Sequence, residues 1–207
     1  MIRTALVALL AALVLSVPCR AQTDESHRTL ADMPRGLYKS DDLHTDIYFT
    51  YSHVGFTHAH ARFDKFAGEL NYDPQHPEKS PVTFTVDPGT IDTNVPELDR
   101  VLKGKHFFNV QRFPEMKFVG RRLRRTSLTT GVLSGVLYGD LTMHGVTRPI
   151  VLNVHLNKFL VDKELKFCRF GFSATALLKR SQWELGDVPL VGDDIRLELE
   201  IEFLKVV

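Results

Sequence analysis

Cysteine is almost absent from this 207-residue chain, which contains only Cys19 and Cys168. Cys19 lies in an N-terminal segment that we expect to be removed, so the mature chain cannot form an internal disulfide. Cys168 lies in an apolar stretch, where a buried and unreactive thiol is expected. The fold must therefore be held together by its hydrophobic core.

A surplus of one charge is also lacking, because 26 Lys and Arg residues balance 25 Asp and Glu residues. Removal of Arg3 and Arg20 with the N-terminal segment leaves 24 basic residues against 25 acidic ones, a net charge of about −1. Nucleic-acid binding requires a broad positive surface. The sequence therefore predicts no nucleic-acid partner.

Catalytic motifs are missing as well. The chain contains no nucleophile elbow, no Gly-rich phosphate loop and no dinucleotide-binding fingerprint. Glu198, Glu200 and Glu202 share one face of the last strand-like segment, which is typical of a solvated surface rather than of acid-base catalysis. We predict that the protein is not an enzyme, and a hydrolase whose catalytic residues meet only in space is the alternative.

Only one long apolar run is present, from Ala5 to Val17. It is too short to span a bilayer, and with its positive head and small residues it predicts a secretory signal peptide over residues 1–21. Lipid attachment to Cys19 is disfavoured because Pro18 stands where lipoprotein signals carry a small residue. The polar, aperiodic residues 22–35 are expected to form a flexible leader.

Residues 36–207 form one domain in which strand-like alternation dominates. The clearest case is the last segment, where Ile195 to Phe203 alternates apolar and charged residues without error. Residues 132–143 and 150–161 alternate in the same way on either side of the turn at His144-Gly145. About nine such segments are present, and eight of them are expected to close into an antiparallel β-barrel. The fold class is therefore all-β.

One short helix interrupts the strands. Pro96 suits its first turn, Gly104 ends it, and Thr93 or Asn94 is the expected N-cap. Its spacing predicts one apolar face, formed by Leu98, Val101 and Leu102.

A barrel of eight strands has an interior that is either filled by side chains or able to hold one slender ligand. Gly135 and Gly139 lie on the inward face of their strand, and Ala174 and Ala176 follow large aromatic residues on another. These small residues favour a lined hollow. The alternative, that the glycines only relieve crowding or mark bulges, carries equal weight.

Residues 139–150, GDLTMHGVTRPI, resemble the signature of the YceI-like family, the periplasmic polyisoprenoid-binding proteins. Further blocks agree in the same order and extend the resemblance from Tyr38 to Phe203: Phe49 with 53–55, 62–68, 102–118, and Gly171-Phe172 with 179–181. One departure is Leu98-Asp99, because the family usually has Arg-Asp at the start of the inserted helix.

The resemblance implies a lipocalin-like, eight-stranded barrel whose apolar channel binds a polyisoprenoid or an isoprenoid quinone. No cofactor is required beyond that lipid ligand, which the protein would sequester or transport in the periplasm through transient contact with a membrane surface. Homodimer formation is left open. The expected channel residues are Phe49, Tyr51, Phe84, Phe118, Leu133, Gly135, Leu137, Gly139, Leu141, Met143, Leu152, Val154, Phe170, Phe172, Leu199 and Ile201.

Polar groups near such a channel would only position a head group. Arg124 and Arg125 in the run 121–125, together with His53, are the candidates, although such a run is more often a solvated strand end. The cluster of His53, His58 and His60 suggests the alternative function, a histidine-based metal or redox-associated protein of envelope stress. No metal site is assigned, because no Cys or carboxylate completes a ligand set at matched spacing.

Release of such a ligand is harder than retention. Burial of roughly forty carbons at about 0.8 kcal/mol each nominally gives about 30 kcal/mol, which exceeds the highest known affinities of about 20 kcal/mol. We therefore expect a rim that moves at a membrane surface, formed by residues 187–194 or by the helix at 95–104.

Overall fold

The computed structural model describes residues 30–129, 132–162, 167–186 and 188–206. These residues contain one α-helix, α1 (Pro96–Lys103), and strands that pair into a single antiparallel sheet. The strands are β1 (Gly36–Ser40), β2 (Asp46–His53), β3 (Thr57–Phe63), β4 (Phe66–Tyr72), β5 (Val82–Val86), β6 (Ile91–Asp92), β7 (Met116–Thr129), β8 (Val132–Met143), β9 (Val146–Asp162), β10 (Phe167–Lys179) and β11 (Val191–Lys205).

Pairing between β1 and β11 closes this sheet into a barrel. β1 and β2 both pair with β11, and their partners on the other side are β4 and β3. β5 and β6 pair in turn with β4 and β3. The consecutive segments β1 and β2 therefore form one bent strand of the barrel, as do β3 and β4, and β5 and β6. The eleven segments make eight barrel strands, so the predicted eight-stranded antiparallel barrel with one inserted helix is confirmed.

Alternation along the strands produces the core. On β11, Leu199, Ile201 and Phe203 are buried, and β10 places Ala174, Phe172 and Phe170 directly opposite them. The charged residues between them point to the outer surface, so each strand contributes one apolar face to a shared interior. Cys168 is also buried, and burial raises the pKa of its thiol, as expected for an unreactive cysteine.

Helix α1 departs from its prediction at the cap and on one face. Its N-cap is Val95, which forms no side-chain cap bond. Thr93 instead contacts the first turn, since its amide and its hydroxyl both donate to Asp99 Oδ1, at 2.8 and 2.7 Å. Val101 is exposed, and the inward face consists of Leu98 and Leu102. Among the described residues, no helix is long and apolar enough to cross a membrane.

The leader is packed from Leu30 onward, which corrects the expectation of a flexible segment up to residue 35. Met33 is 1% exposed. The Tyr72 hydroxyl donates to the Leu30 carbonyl and the Tyr38 hydroxyl to the Pro34 carbonyl, both at 2.7 Å. The few apolar residues of this segment, Leu30, Ala31 and Met33, form no periodic pattern, so the sequence did not reveal this anchoring. The predicted signal peptide lies outside the described residues.

The barrel has two distinct ends. The upper end carries the β2–β3, β8–β9 and β10–β11 connections. The lower end carries the leader and the β4–β5 connection, which contains a short 3₁₀ turn at Pro77–Lys79. Between β6 and β7, α1 and the residues after it contribute to the wall.

Replacement of Met33 by Ala should lower the free energy of unfolding by about 2–5 kcal/mol, because it leaves a cavity beneath the leader. Leu43→Ala is the matched control, since Leu43 is 88% exposed and its loss should change stability by no more than about 0.5 kcal/mol. Urea unfolding followed by tryptophan fluorescence measures both. Equal stabilities of the two variants would contradict a packed leader.

Candidate functional site

A cavity of about 290 Å³ occupies the interior of the barrel. It extends from Leu30 and Pro77 at the lower end to Leu185 and Val191 at the upper end. Its walls are apolar side chains from nearly every strand, and its volume lies near the lower limit for small-molecule sites. The interior of the barrel is therefore partly empty rather than fully packed.

Most of the channel residues predicted from the sequence line this cavity. They are Phe49, Tyr51, Phe84, Phe118, Leu137, Leu141, Met143, Leu152, Val154, Phe170, Phe172, Leu199 and Ile201. Gly135 and Gly139 do not line it. The side chain of Leu133 lies outside the described part of the chain.

The two glycines make room for neighbours instead of leaving space. A Cβ on Gly139 would overlap the Phe118 ring and lie 2.6 Å from the Val119 carbonyl oxygen. On Gly135 it would lie 2.9 Å from Leu123 Cδ1. The inference that these glycines create the hollow was wrong, and the alternative of relieved crowding describes them. The hollow exists because the closed sheet is wider than the side chains that project into it.

Sequence reasoning missed a second part of the lining, which comes from short strands, the helix and the upper rim. β5 has no fully buried residue, and the rim residues lie in segments without regular alternation. The family resemblance at 102–118 was the available signal for part of this set. The additional residues include Leu70, Tyr72, Val82, Val86, Leu98, Leu102, Phe107, Phe108, Trp183 and Leu185.

Arg180 organises the upper rim through backbone contacts. Its guanidinium donates to the carbonyls of Gly192 (3.1 Å), Leu185 (2.7 Å), Val188 (3.0 Å) and Val191 (2.9 Å). These charge-assisted hydrogen bonds tie down the connection between β10 and β11 while Arg180 itself lines the cavity. These bonds restrain the connection between β10 and β11, which contains most of the segment 187–194 that was expected to move. Asp187, the first residue of that segment, lies outside the described residues.

Trp183 closes the upper end beside this rim. It is fully buried, and its Nε1–H donates to the Leu141 carbonyl at 3.1 Å. His144, at the β8–β9 turn, contacts the Trp183 carbonyl through Nδ1 at 3.1 Å and packs against the Phe113 ring. This arrangement links the turn of residues 139–150 to the roof of the cavity, and His144 has a structural role in it.

Tyr51 places a polar group inside the apolar cavity. Its side chain lines the cavity, and the residue is only 7% exposed. Its hydroxyl has no hydrogen-bond partner within the described part of the chain, and burial alone raises its pKa. Tyr72 differs, because its hydroxyl is bonded to the leader, while burial raises its pKa to about 12.

The predicted rim residues separate in the structure. Arg125 lines the lower part of the cavity, and its charge lowers the pKa of Tyr72 against the larger effect of burial. Arg124 is exposed and does not line it. His53 is exposed at the upper end and lies outside the lining. Arg121 forms an ion pair with Asp140 on the outer surface.

The histidine cluster is divided between the two faces of its hairpin. His58 and His60 pair with Ser52 and Thr50 and share a face, whereas His53 pairs with Thr57 and faces the other way. In the described chain, three potential metal-ligand atoms come within 4.8 Å of one another only at Asp41, His44 and Glu202. Arg169 pairs with both of those carboxylates, so their charge is already compensated.

One Ser–His contact bears on the hydrolase alternative. Ser134 Oγ lies 3.1 Å from His155 Nδ1 on the outer wall, away from the apolar lining. Ser134 and His155 are direct register partners in the pairing of β8 with β9, which has no register shift. Register shifts occur in the pairing of β7 with β8, opposite Ser134, and in the pairing of β9 with β10, next to Ser173. The contact is a cross-strand polar pair of the barrel wall.

Residues 38–203 match the YceI-like domain. The chain belongs to the YceI-like family. A UPF0312 protein of Photorhabdus laumondii is 34% identical over 144 residues, covering 69% of this chain and 72% of the relative. A UPF0312 protein of Yersinia pestis is 28% identical over 172 residues, covering 82% and 86%.

Solved YceI-like structures share the fold. BcnA of Burkholderia cenocepacia superposes with a TM-score of 0.66 at 17% identity, covering 79% of this chain and 98% of that one. The YceI protein of Campylobacter jejuni gives 0.64 at 22% identity, covering 75% and 90%. A polyisoprenoid binding domain from Saccharophagus degradans gives 0.64 at 10% identity, covering 84% and 100%.

The YceI-like barrel makes the role of Gly139 testable. Gly139→Ala should lower the free energy of unfolding by about 1–3 kcal/mol, because the added methyl displaces Phe118. Gly171→Ala is the matched control, since its nearest neighbour would be the Lys158 carbonyl oxygen at 3.7 Å, an ordinary contact. Chemical unfolding measures both. A Gly139→Ala variant as stable as Gly171→Ala would show that the position is open space.

Proposed function

We propose that this YceI-like protein binds a long apolar amphiphile, a polyisoprenoid or an isoprenoid quinone, inside its barrel. It sequesters or transports that lipid without performing chemistry on it. The observation that carries the proposal is the apolar cavity that runs between the two ends of the barrel. The polyisoprenoid binding domain of Saccharophagus degradans, which has the same fold, supports the choice of ligand class.

The lining suits a flexible, branched hydrocarbon. Aromatic rings, such as those of Phe49, Phe170 and Phe172, and aliphatic side chains form the walls together, and few polar atoms interrupt them. Each buried methylene contributes about 0.8 kcal/mol, so affinity depends on the length of chain admitted rather than on directed contacts. An aqueous compartment reached through the predicted signal peptide is where such a lipid needs a protein to cover it.

Ala174→Phe should abolish ligand retention, because the added ring projects into the cavity from β10. Leu177→Phe is the control on the same strand, since Leu177 lies on the exposed outer face. Mass spectrometry of an organic extract of each natively purified protein measures the bound lipid. The wild type and Leu177→Phe should carry a prenyl lipid, and Ala174→Phe should carry little.

The circular dichroism spectrum of Ala174→Phe should match that of the wild type, which would show that the variant is folded. Extracts of the wild type that contain no prenyl lipid, together with no binding of added polyprenol or prenyl quinone, would contradict the proposal.

Exchange of the lipid takes place, in this proposal, where the upper end meets a membrane. Three apolar side chains are exposed there: Val54 (47%) and Phe56 (86%) in the β2–β3 turn, and Leu190 (59%) beside it. The Val54 amide donates to the Leu190 carbonyl at 3.1 Å, which holds the two segments together. Val191, the next residue, lines the cavity, so this apolar patch lies beside the upper end of the cavity.

The backbone at Val54 supports an external role for the patch. Val54 and Gly55 have φ values of 53° and 77°, as in a type I′ turn, where Asn, Asp or Gly is usual. A β-branched residue in this region is strained by about 1–3 kcal/mol. The His144-Gly145 turn has the same form, but His144 uses its side chain to contact Trp183. The side chain of Val54 has no polar group that could make such a bond and is 47% exposed, which suits a contact outside the protein.

Phe56→Ser should slow transfer of a prenyl quinone between the protein and phospholipid vesicles while leaving the equilibrium affinity unchanged. Leu43→Ser is the control, since Leu43 is equally exposed but lies at the β1–β2 bend, away from the upper end of the barrel. Stopped-flow transfer from vesicles containing a fluorescent prenyl quinone analogue measures the rate. Equal transfer rates for the two variants would show that the apolar patch of Val54, Phe56 and Leu190 has no role in lipid exchange.

A further inference from the structure

Within the described part of the chain, the lining of the cavity contains one buried side chain, Tyr51, whose polar group has no internal partner. Tyr51 lies on β2, two residues before the β2–β3 turn, between Ile195 on one side and Ala59 on the other. Its ring packs against Phe49, with centroids 6.3 Å apart. Among the described residues, Arg169 Nε is the only fully enclosed side-chain N or O atom without a partner, so the unpaired Tyr51 hydroxyl keeps accessible surface where it borders the cavity. A phenylalanine would line the cavity without placing an unpaired polar group there.

Other polar side chains along the lining differ from Tyr51 in burial or in partners. Tyr72 is buried but bonded to the leader, and the guanidinium of Arg180 is occupied by rim carbonyls. Lys117 and Arg125 are exposed. Among the described residues of the lining, Tyr51 is the side chain that combines deep burial with a free hydrogen-bonding group.

We propose that the Tyr51 hydroxyl donates a hydrogen bond to a neutral oxygen acceptor on the bound lipid and so fixes its polar head at the upper end of the barrel. This inference rests on the proposed function and selects within its ligand class. It favours a lipid that carries a carbonyl group, such as an isoprenoid quinone, over a purely hydrocarbon chain. The tail then extends toward Leu30 and Pro77 at the lower end.

The surroundings of Tyr51 favour a neutral head over a phosphate. The neighbouring lining is apolar, and the pKa of Tyr51 is raised by burial with no contribution from a charged group. The rim cation of the lining, Arg180, has four of its five N–H donors bonded to backbone carbonyls of the protein. A phosphate at this position would thus be desolvated with almost no guanidinium donor left to bind it, whereas a carbonyl needs only the Tyr51 hydroxyl.

The test compares two ligands of similar apolar character on the full mature protein. Tyr51→Phe should weaken binding of a prenyl quinone by about threefold to tenfold, the loss of one hydrogen bond, and leave binding of squalene unchanged. Infrared difference spectra provide a second measurement, because the carbonyl band of the bound quinone should move toward the position of a free carbonyl in the variant.

Tyr72→Phe is the matched control. Tyr72 also lines the cavity, but its hydroxyl serves the leader, so this variant should lose stability and keep the wild-type ratio of quinone to squalene affinity. Tyr51→Phe should be at least as stable as the wild type in the absence of ligand, because it loses no internal hydrogen bond. A thermal melt of each variant before the binding assay establishes that it is folded.

Each outcome is decisive. If Tyr51→Phe binds both ligands as the wild type does, or loses affinity for both equally, Tyr51 does not recognise the head and the inference is overturned while lipid binding stands. If the wild type binds squalene but no quinone, the inference is overturned in the same way. If the wild type binds neither ligand, the proposed function fails first and this inference fails with it.

Discussion

Closure of the sheet is the constraint on which the rest of the structure depends. Once β1 pairs with β11, every inward side chain of the barrel faces one interior whose width is fixed by strand number and tilt. Aromatic side chains from strands that are not neighbours meet in the lower part of this interior, as Tyr72 does with Phe170 and Phe84 with Phe203. The cavity is the space that the side chains of the closed sheet leave unfilled, and the residues of the lining determine its shape and polarity.

Most of the architecture could be predicted from the sequence, because long strands carry a clear period of two. β8 has the bounds expected for it, and Ile195 to Phe203 lie within β11 as their alternation predicts. Most of the channel residues chosen from these strands line the cavity. The bent strands β1–β2, β3–β4 and β5–β6 were harder to predict, since each half is short and its period is interrupted.

The remaining errors have a common physical origin in contacts between distant parts of the chain. From the sequence alone Gly139 suggests empty space, but in the structure the Phe118 ring on the adjacent strand covers it. From the sequence alone Met33 belongs to a polar leader, but in the structure it is buried at the lower end of the barrel. The free hydroxyl of Tyr51 is invisible in sequence, because only the complete set of neighbours shows that nothing in the described chain bonds to it.

The pairing of Tyr38 with Lys205 joins the first strand of the barrel to the last. When the chain is made from the amino terminus, one edge of β1 has no partner until β11 is available. Until then the interior of the barrel stays accessible to water. This contact joins residues far apart in sequence, so its formation has a high entropic cost of loop closure and is expected late in folding. The proposed lipid ligand, if present at that moment, would be enclosed as the barrel shuts and would not have to pass the rim of the finished barrel.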